Sequence, residues 1–380
     1  MATIVLDFGS FLTRAGFAHD LAPSLLVPTV VGHPRYAMAN SPNPGPFCGH
    51  EALRMIGVLR LRYPVQHGLA DSLADLTTFW AFLSAQVLGP ETIHPVMIVE
   101  PARSSQNLRE QLAHIAFTTI NVPALQFVPA AVAVLLASNL ASGLVVMGGN
   151  AETAIVPVVH GRVRTEAIVW STELGGECVF KRMVFQLMDR DTTVVTASWR
   201  RVVGPLLDQY AYVAPPASDP LHPLNDGASS PAAVEYESGH GDQVRIVHDQ
   251  WQCTEVLFSA DAEPSLRTGP LPNVACDGIQ GMVYACLSQL DASDRALLRC
   301  VALSGTLTSY RGFAARLQAE LDALIPSPGE RVKVVVPPRG SDSKHAAWIG
   351  AAEYARVSSP ESSHLWISKR EYEDRGSLCV

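Results

Sequence analysis

The amino-acid sequence predicts an α/β protein built from two domains, and three observations support this prediction. The chain has 380 residues, which is more than a single hydrophobic core usually serves. The stretches Ile4–Phe17 and Gly143–Gly161 share one pattern of apolar strand, glycine-containing turn and second strand. Short apolar strands alternate with amphipathic helices along the rest of the chain. Because each hairpin begins one half of the chain, we expect an internal structural repeat.

The composition narrows the class of protein. Hydrophobic residues make up 48% of the chain and charged residues 17%, which is typical of a well-packed globular protein. The net charge of −8 and the lack of a long basic run argue against a large nucleic-acid-binding face. The 7 cysteines are scattered and form no C-x-x-C pair, so we expect reduced thiols rather than a zinc site or a disulfide framework. The longest apolar run, around Phe127–Leu136, is too short to span a bilayer, and no secretory signal is recognised at the N-terminus.

The first hairpin carries residue types that suit phosphate chemistry. Gly9 allows a sharp turn, and such a turn directs several backbone N–H groups to one side, where they can bind an anion. Ser10 adds a hydroxyl, Arg14 a positive charge and Asp7 a carboxylate that can hold a metal through water. These residues predict a site for phosphate and a divalent cation; an ordinary hairpin with a glycine turn is the alternative.

The other elements follow from apolar spacing and from turn residues. Leu73–Leu88 carries large apolar side chains along one helical face, and Ser104 or Ser105 is suited to cap the next helix. Helices are expected at Leu73–Leu88, Ser105–Phe117, Pro129–Ser138, Cys178–Met188, Ser198–Val213, Gly278–Leu290, Ala292–Cys300 and Phe313–Leu324. Strands are expected at Leu53–Leu61, His94–Glu100, Leu125–Val128, Val244–Val247, Val301–Thr306 and Val332–Val336, with a loop at Trp251–Phe258. Segments rich in Pro, Gly, Ser, Asn or Asp predict exposed loops at Tyr36–Pro46, Pro215–Gly241 and Asp261–Pro272.

Four groups of residues together resemble actin and the actin-related proteins, from Ile4 to about Gly376. They match a first phosphate hairpin, a turn with a sensor-loop histidine, an adenosine loop and a C-terminal segment. The matching residues are Asp7-Phe8-Gly9-Ser10 with Arg14-Ala15-Gly16-Phe17, Tyr63–Gly68 with His67, Leu303-Ser304-Gly305-Thr306 with Tyr310 and Gly312, and Trp348-Ile349-Gly350 with Trp366–Tyr372. The C-terminal match is specific to this family, whereas glycine loops also occur in the wider sugar-kinase and Hsp70 superfamily.

The resemblance implies an actin-like fold of two α/β domains with a nucleotide cleft between them. The first domain is expected to comprise residues 1–137 and 342–380, with a small inserted subdomain at about 29–63. The second is expected to comprise residues 138–341, with an inserted subdomain at about 175–265.

The resemblance also implies an adenine nucleotide, ATP or ADP, with Mg²⁺. In this family pattern Asp7 faces the metal through water, Arg14 replaces a phosphate-binding lysine, and Asp208 stands in place of a glutamate near the ribose. The implied nucleotide-binding residues are Asp7, Gly9, Ser10, Phe11, Leu12, Arg14, Gly148, Gly149, Asn150, Gly176, Asp208, Gly305, Thr306, Tyr310 and Lys344.

The departures from the family pattern concentrate on metal binding and hydrolysis. Phe11 replaces a glycine near the phosphate, and Leu207 replaces a lysine beside the base. Ala130 replaces a glutamine that orients the attacking water, Met147 replaces an aspartate, and Ala154 replaces a histidine that helps to activate the water. Alanine cannot orient water, and a thioether is a poor ligand for Mg²⁺. Each change alone is open to explanation as neutral drift, but together they predict weakened metal binding and little or no hydrolysis, so no residue is assigned a catalytic role.

Two segments argue against a homopolymer. The loop Tyr36–Pro46, which in the family packs against the next filament subunit, is rich in proline and offers little apolar surface. Ala260–Asn273, in the region of the family's hydrophobic plug, carries charged residues and prolines.

These features predict a divergent actin-like subunit that binds protein partners in a larger cytoskeletal assembly. The assembly is expected to be motor-associated, such as a dynein arm or a dynactin-like complex, in the cytoplasm and cytoskeleton, the axoneme included. Neither a membrane nor a nucleic acid is expected as a direct partner. The alternatives are a filament-forming, ATP-hydrolysing actin and a nuclear actin-related subunit of a chromatin remodeller, although no basic localisation cluster supports the latter. The divergent subunit is distinguished from a hydrolysing actin by the residues Ala130, Met147 and Ala154.

Overall fold

The computed structural model describes residues 2–35, 45–66, 69–87, 94–188, 199–216, 234–237, 243–259, 277–327, 329–337, 340–358, 360 and 365–380. The chain divides into two compact units. Unit 1 comprises Met1–Ala141, Gly161–Val163 and His345–Val380, and unit 2 comprises Ser142–His160 and Arg164–Lys344. The predicted domain boundaries, after residue 137 and before residue 342, lie a few residues from these limits. The return of Gly161–Val163 to unit 1 was not predicted.

The strands are short and are numbered in chain order. They are β1 (Ile4–Phe8), β2 (Leu12–Phe17), β3 (Leu25–Pro28), β4 (Val31–Pro34), β5 (Phe47–Cys48), β6 (Leu59–Arg62), β7 (Val65–Gln66), β8 (Leu69–Ala70), β9 (Val96–Glu100), β10 (Ala124–Pro129), β11 (Gly143–Gly148), β12 (Thr153–Val159), β13 (Arg162–Val163), β14 (Val169–Ser171), β15 (Val234–Glu237), β16 (Gln243–Ile246), β17 (Cys300–Ser304), β18 (Lys333–Val335) and β19 (Ile367–Ser368).

The α-helices are numbered in the same way. They are α1 (Gly49–Arg54), α2 (Leu73–Val87), α3 (Gln106–His114), α4 (Ala130–Ala137), α5 (Gly176–Met188), α6 (Trp199–Tyr210), α7 (Asp249–Gln252), α8 (Gly278–Gln289), α9 (Ala292–Leu297), α10 (Phe313–Leu324), α11 (Ala346–Val357) and α12 (Lys369–Arg375). Among the described helices, none has the length and hydropathy that crossing a bilayer requires.

Unit 1 is organised around a mixed sheet with the strand order β19-β10-β9-β1-β2-β3. The strands β1 and β2 form the predicted antiparallel hairpin, in which Phe8 pairs with Thr13. The strands β9 and β10 continue the sheet parallel to β1, so their apolar runs are covered on both faces. Apolar side chains of β1, α2 and α3 form the core beneath the sheet.

Unit 2 repeats the same arrangement. The strands β11 and β12 form an antiparallel hairpin in which Gly148 pairs with Thr153, and β17 lies parallel to β11 as β9 lies parallel to β1. The strand β18 continues the sheet beyond β17, and β14 pairs with β12. The predicted internal repeat is therefore confirmed, and it places one glycine turn at the same end of the first hairpin in each unit.

A small three-stranded sheet, in the order β5-β4-β6, lies within the range predicted as an inserted subdomain of unit 1. It has its own apolar cluster, formed by Val30, Phe47, Ala52 and Leu59. The predicted strand Leu53–Leu61 is wrong over most of its length, because its first residues belong to α1 and only its end belongs to β6. The apolar side chains of α1 pack on this cluster. The apolar run that predicted a strand therefore forms the end of a short helix and the turn after it.

Several predicted helices differ at their ends. Of the two expected caps, Ser104 and Ser105, it is Ser105 that caps α3, because its Oγ accepts the N–H of Leu108 at 3.1 Å. The α-helix ends at His114, and a π-helix continues it over Ile115–Ile120 until Asn121, which adopts a left-handed conformation with φ of 63°. The predicted helix Ala292–Cys300 ends at Leu297, because Cys300 begins β17. The expected loop at Trp251–Phe258 contains the end of α7 and a 3₁₀ turn at Glu255–Leu257.

Some predictions fall outside the described residues. They concern most of the loop Tyr36–Pro46, the histidine His67 with Gly68, most of Pro215–Gly241, and the segment Ala260–Asn273. These remain predictions from the sequence.

The helices α4 and α11 pack against each other at Gly350 in unit 1. A Cβ added at Gly350 would collide with the carbonyl oxygen and carbon of Ala133, so only glycine fits this crossing. The indole Nε1 of Trp348 donates to the carbonyl oxygen of Val5 at 3.0 Å and fixes α11 on β1. This packing sets the position of the first residues of α11 beside the β1–β2 hairpin.

We expect Gly350→Ala to lower the free energy of unfolding by about 1–3 kcal/mol, the usual range for overpacking a close-packed contact. Elsewhere in a helix the same change stabilises by roughly 0.5–1 kcal/mol, so the sign of the effect is diagnostic. Urea unfolding followed by circular dichroism measures it. Gly57→Ala is the matched control, because Gly57 is exposed and has open space around it. Equal stability of the Gly350→Ala protein and the wild type would show that the helices are not in close contact here.

Candidate functional site

The first glycine loop, residues 9–11, joins β1 to β2 in unit 1. A Cβ added at Gly9 would lie 2.5 Å from the carbonyl oxygen of Leu12, so the turn requires glycine. The carbonyl oxygen of Phe11 accepts the N–H of Thr29 at 2.9 Å. Within the described part of the chain, no acceptor is bonded to the N–H groups of Ser10 and Phe11. The loop is therefore anchored through the carbonyl oxygen of Phe11, and the anion site expected at its N–H groups remains a prediction.

Phe11 changes the surface of this loop. Its side chain is 44% exposed at the tip of the turn, between Ser10 and Leu12. A large apolar side chain at this point restricts how closely a phosphate can approach the backbone donors.

The cation of the hairpin, Arg14, is buried and bonded inside unit 1. Its Nη1 lies 3.2 Å from Oδ2 of Asp7, and its Nε donates to Nδ1 of His345 at 3.0 Å. Nη1 also lies 3.4 Å from the carbonyl oxygen of Leu12. The side chain of Arg14 is 9% exposed and that of Asp7 is 19% exposed. The predicted phosphate-binding cation thus serves first as the counter-ion of Asp7.

The predicted metal residue, Asp7, is poorly suited to a divalent cation. Burial raises the pKa of Asp7, and the charge and hydrogen bond of Arg14 act in the opposite direction. Its Oδ2 already accepts from a guanidinium, so a metal nearby would meet a fixed positive charge. No group of three His, Cys, Asp or Glu side chains suited to a metal occurs among the described residues. The residues at this position do not fit the Mg²⁺ that the family resemblance implied.

The second glycine loop, residues 149–152, joins β11 to β12 in unit 2. The N–H of Gly149 donates to the carbonyl oxygen of Glu152 at 2.9 Å, which closes the turn. The carbonyl oxygens of Gly149 and Asn150 accept the N–H groups of Gly176 and Glu177, at 3.0 and 2.9 Å. These bonds satisfy donors at the start of α5 and fix the loop on that helix. The structure therefore brings the predicted residues Gly149, Asn150 and Gly176 together.

The adenosine loop packs against the end of β11. Gly305 has a φ of 98°, and a Cβ there would collide with the carbonyl oxygen of Gly148. Its N–H donates to the carbonyl oxygen of Ser343 at 3.1 Å, and its own carbonyl oxygen accepts from the hydroxyl of Thr308 at 2.9 Å. Gly148, Gly305 and Thr306 are thereby held close to one another in unit 2.

Three further predicted residues of unit 2 interact electrostatically. Partial burial raises the pKa of Asp208, which still contacts solvent, and the positive charge of Lys344 partly opposes this rise. Burial also raises the pKa of Tyr310, and the negative charge of Asp208 adds to the effect. Asp208 therefore interacts electrostatically with both Tyr310 and Lys344, and their role beside adenosine remains a prediction. Leu207, next to Asp208 in the chain, points into the core of unit 2 instead.

The positions expected to handle the attacking water carry no polar side chain. Ala130 is the first residue of α4 and is buried. Met147 and Ala154 pair directly across the β11–β12 hairpin, and Ala154 is 2% exposed. None of the three side chains can accept a proton or orient water.

His345 is the residue that sequence reasoning missed. It is the buried residue that precedes α11, and it accepts from Arg14 across 331 positions of the chain. The signal available was a single histidine before an apolar helix, directly after Lys344. That signal does not identify a partner so distant in sequence.

The two repeated α/β units, each beginning with an antiparallel glycine hairpin, define the class of proteins with the actin-like ATPase fold. The family model described as Actin matches residues 1–380, the whole chain. The chain therefore belongs to the actin family, and the predicted family and actin-like α/β fold are confirmed, whereas the nucleotide cleft stays a prediction.

We expect His345→Phe to destabilise the protein by about 1–3 kcal/mol, the cost of leaving a buried donor unpaired. Phenylalanine keeps the bulk of the ring but removes the acceptor for Nε of Arg14. Thermal unfolding by calorimetry measures the change. His114→Phe, at an exposed position of α3, is the control for the substitution itself. If both variants unfold with the wild type, the bond between Arg14 and His345 contributes nothing to stability.

Proposed function

We propose that this actin-family protein is a structural subunit that binds an adenine nucleotide with little or no hydrolysis. It works within a larger cytoskeletal, motor-associated protein assembly in the cytoplasm rather than as a homopolymer. The observation that carries the proposal is the apolar character of Ala130, Met147 and Ala154, which occupy the positions of the family's hydrolytic residues. Loss of one of them would be compatible with drift, but all three belong to a single chemical step.

Nucleotide binding is supported by features that these losses leave in place. The first glycine loop keeps N–H donors for phosphate at Ser10 and Phe11. Unit 2 keeps the close approach of Gly148 and Gly305, and the electrostatic interaction between Asp208 and Lys344. We expect purified protein, when denatured, to release ATP or ADP.

The proposed role as a subunit of a larger assembly is supported by the small apolar surface of two segments expected at contacts between copies. The proline-rich loop Tyr36–Pro46 and the charged segment Ala260–Asn273 offer little apolar surface for a contact between copies. A chain that keeps the family fold without hydrolysis or self-contacts still offers its surface to other proteins. Isolation of the native assembly and identification of its stoichiometric components by mass spectrometry tests this role.

We expect the native protein to release phosphate from bound ATP at least about tenfold more slowly than conventional actin, since one lost orienting group typically costs about 10²-fold. Single-turnover hydrolysis of radiolabelled ATP measures the rate. The triple change Ala130→Gln, Met147→Asp and Ala154→His is expected to raise it, whereas each single change leaves it within about threefold because such losses are not additive.

The matched control for this experiment replaces Met147→Asp by Met147→Asn in the triple variant, which keeps the size without the charge. Circular dichroism checks that a histidine at the buried position of Ala154 leaves the protein folded. Phosphate release by the native protein as fast as that of actin would overturn the proposal and favour the hydrolysing alternative.

We expect no spontaneous filaments, because the sequence of both segments expected at a subunit contact offers little apolar surface. Protein kept in polymerising salt with Mg²⁺ and ATP should remain in the supernatant after high-speed centrifugation, with conventional actin pelleting in parallel. A pellet that shows regular two-stranded filaments by electron microscopy would contradict the subunit role.

A further inference from the structure

We propose that Arg14 takes the place of a divalent cation beside Asp7, so that this chain binds its nucleotide independently of Mg²⁺. The proposal rests on the nucleotide binding proposed above and adds the chemical form of the ligand, which is a nucleotide polyphosphate free of metal. It starts from the observation that the residues around Asp7 do not suit the Mg²⁺ that the family resemblance implies.

The geometry shows a counter-ion that is built in. The guanidinium of Arg14 uses Nη1 for Asp7 and Nε for His345, at 3.2 and 3.0 Å. These donors point in different directions from one planar group, so both bonds together fix its orientation. A lysine at this position has a single ammonium group and would not reproduce this fork.

Three elements hold the cluster in place. Asp7 lies on β1 and Arg14 on β2, and the two residues are directly paired across the hairpin. His345 precedes α11, and Trp348 fastens that helix to β1 by its bond to Val5. Because both neighbours of Arg14 are anchored in the sheet and the helix of unit 1, the guanidinium does not need a ligand to order it.

The protonation of His345 agrees with this role. Its Nδ1 accepts from Nε of Arg14, so this nitrogen carries no proton and the imidazole is neutral. The cluster of Asp7, Arg14 and His345 thus holds one negative and one positive charge. The negative charge of Asp7, which would attract a divalent cation, is already balanced by the guanidinium of Arg14.

A divalent cation would have to compete with this arrangement. It would approach Asp7 while the guanidinium stays bonded to Oδ2, and the repulsion between the two positive charges opposes its binding. Asp7 is also largely withdrawn from solvent, so few water molecules can link it to a metal. In contrast, the N–H donors of Ser10 and Phe11 bind phosphate oxygens whether or not a metal is present.

The test is calorimetric titration of the full-length protein with ATP, in Mg²⁺ and in EDTA without Mg²⁺. The proposal predicts dissociation constants within about threefold of each other, because no carboxylate in the first hairpin is free to use the metal. Binding that is more than about threefold tighter in Mg²⁺ would overturn it and leave the proposed function intact. A lack of ATP binding under both conditions would instead overturn the proposed nucleotide binding, and this inference with it.

Two variants separate the role of Arg14 from general damage. Arg14→Gln leaves Asp7 without its counter-ion, and we expect it to gain a preference for Mg²⁺ of about tenfold or more. Arg109→Gln is the matched control, since Arg109 forms a similar ion pair with Glu100 at 3.2 Å elsewhere in unit 1, and it should bind ATP equally with and without Mg²⁺.

If Arg14→Gln fails to fold, the same titration of the variant Asp7→Asn tests the proposal instead. With no carboxylate there, a metal linked to Asp7 could no longer assist binding. The proposal predicts that this variant keeps the native ratio between Mg²⁺ and EDTA. Electron paramagnetic resonance with Mn²⁺ gives an independent readout: the native protein should leave Mn²⁺ free in solution, and tight binding of Mn²⁺ that Asp7→Asn abolishes would contradict the proposal.

Discussion

The burial of the Arg14 guanidinium constrains the part of the site that lies in unit 1. A charged group withdrawn from water needs bonded partners, and removing one partner of a buried ion pair commonly costs about 3–5 kcal/mol. Arg14 meets this requirement through Asp7 on the neighbouring strand and His345 before α11. The requirement therefore ties the β1–β2 hairpin to a helix that the chain reaches only near its end. The close contact of α11 with α4 at Gly350, and the bond from Trp348 to Val5, serve the same placement.

The two glycine loops are held in place by different contacts, although their hairpins are repeats. In unit 2 the loop is fixed from outside the hairpin, by the donors at the start of α5. In unit 1 the loop is fixed by Thr29, and the charge beside it is internal to the hairpin. The repeated backbone thus has different surroundings in the two units: the loop of unit 2 is bonded to α5, whereas an ion pair lies within the hairpin of unit 1.

Local patterns predicted the parts of this protein that depend on local physics. Alternation of apolar residues around a glycine identified both hairpins, and the cap of α3 was narrowed to Ser104 or Ser105 because capping involves only neighbouring residues. Leu53–Leu61 was misread, since an apolar run of that length suits a helix as well as a strand and tertiary packing decides between them. The partner of Arg14 was not predictable, because His345 is brought near by the fold and by no pattern in the sequence. The same limit applies to Leu207, whose neighbour Asp208 joins the site while Leu207 itself belongs to the core.

The direct pairing of Met147 with Ala154 has a consequence for any attempt to restore polar side chains in this hairpin. A histidine introduced alone at the buried position of Ala154 would lack a bonded neighbour, because the residue paired with it is a methionine. A single polar replacement at this position would therefore cost stability before it could contribute to any chemistry. The two positions form one unit, in which a change at Ala154 requires a matching change at Met147.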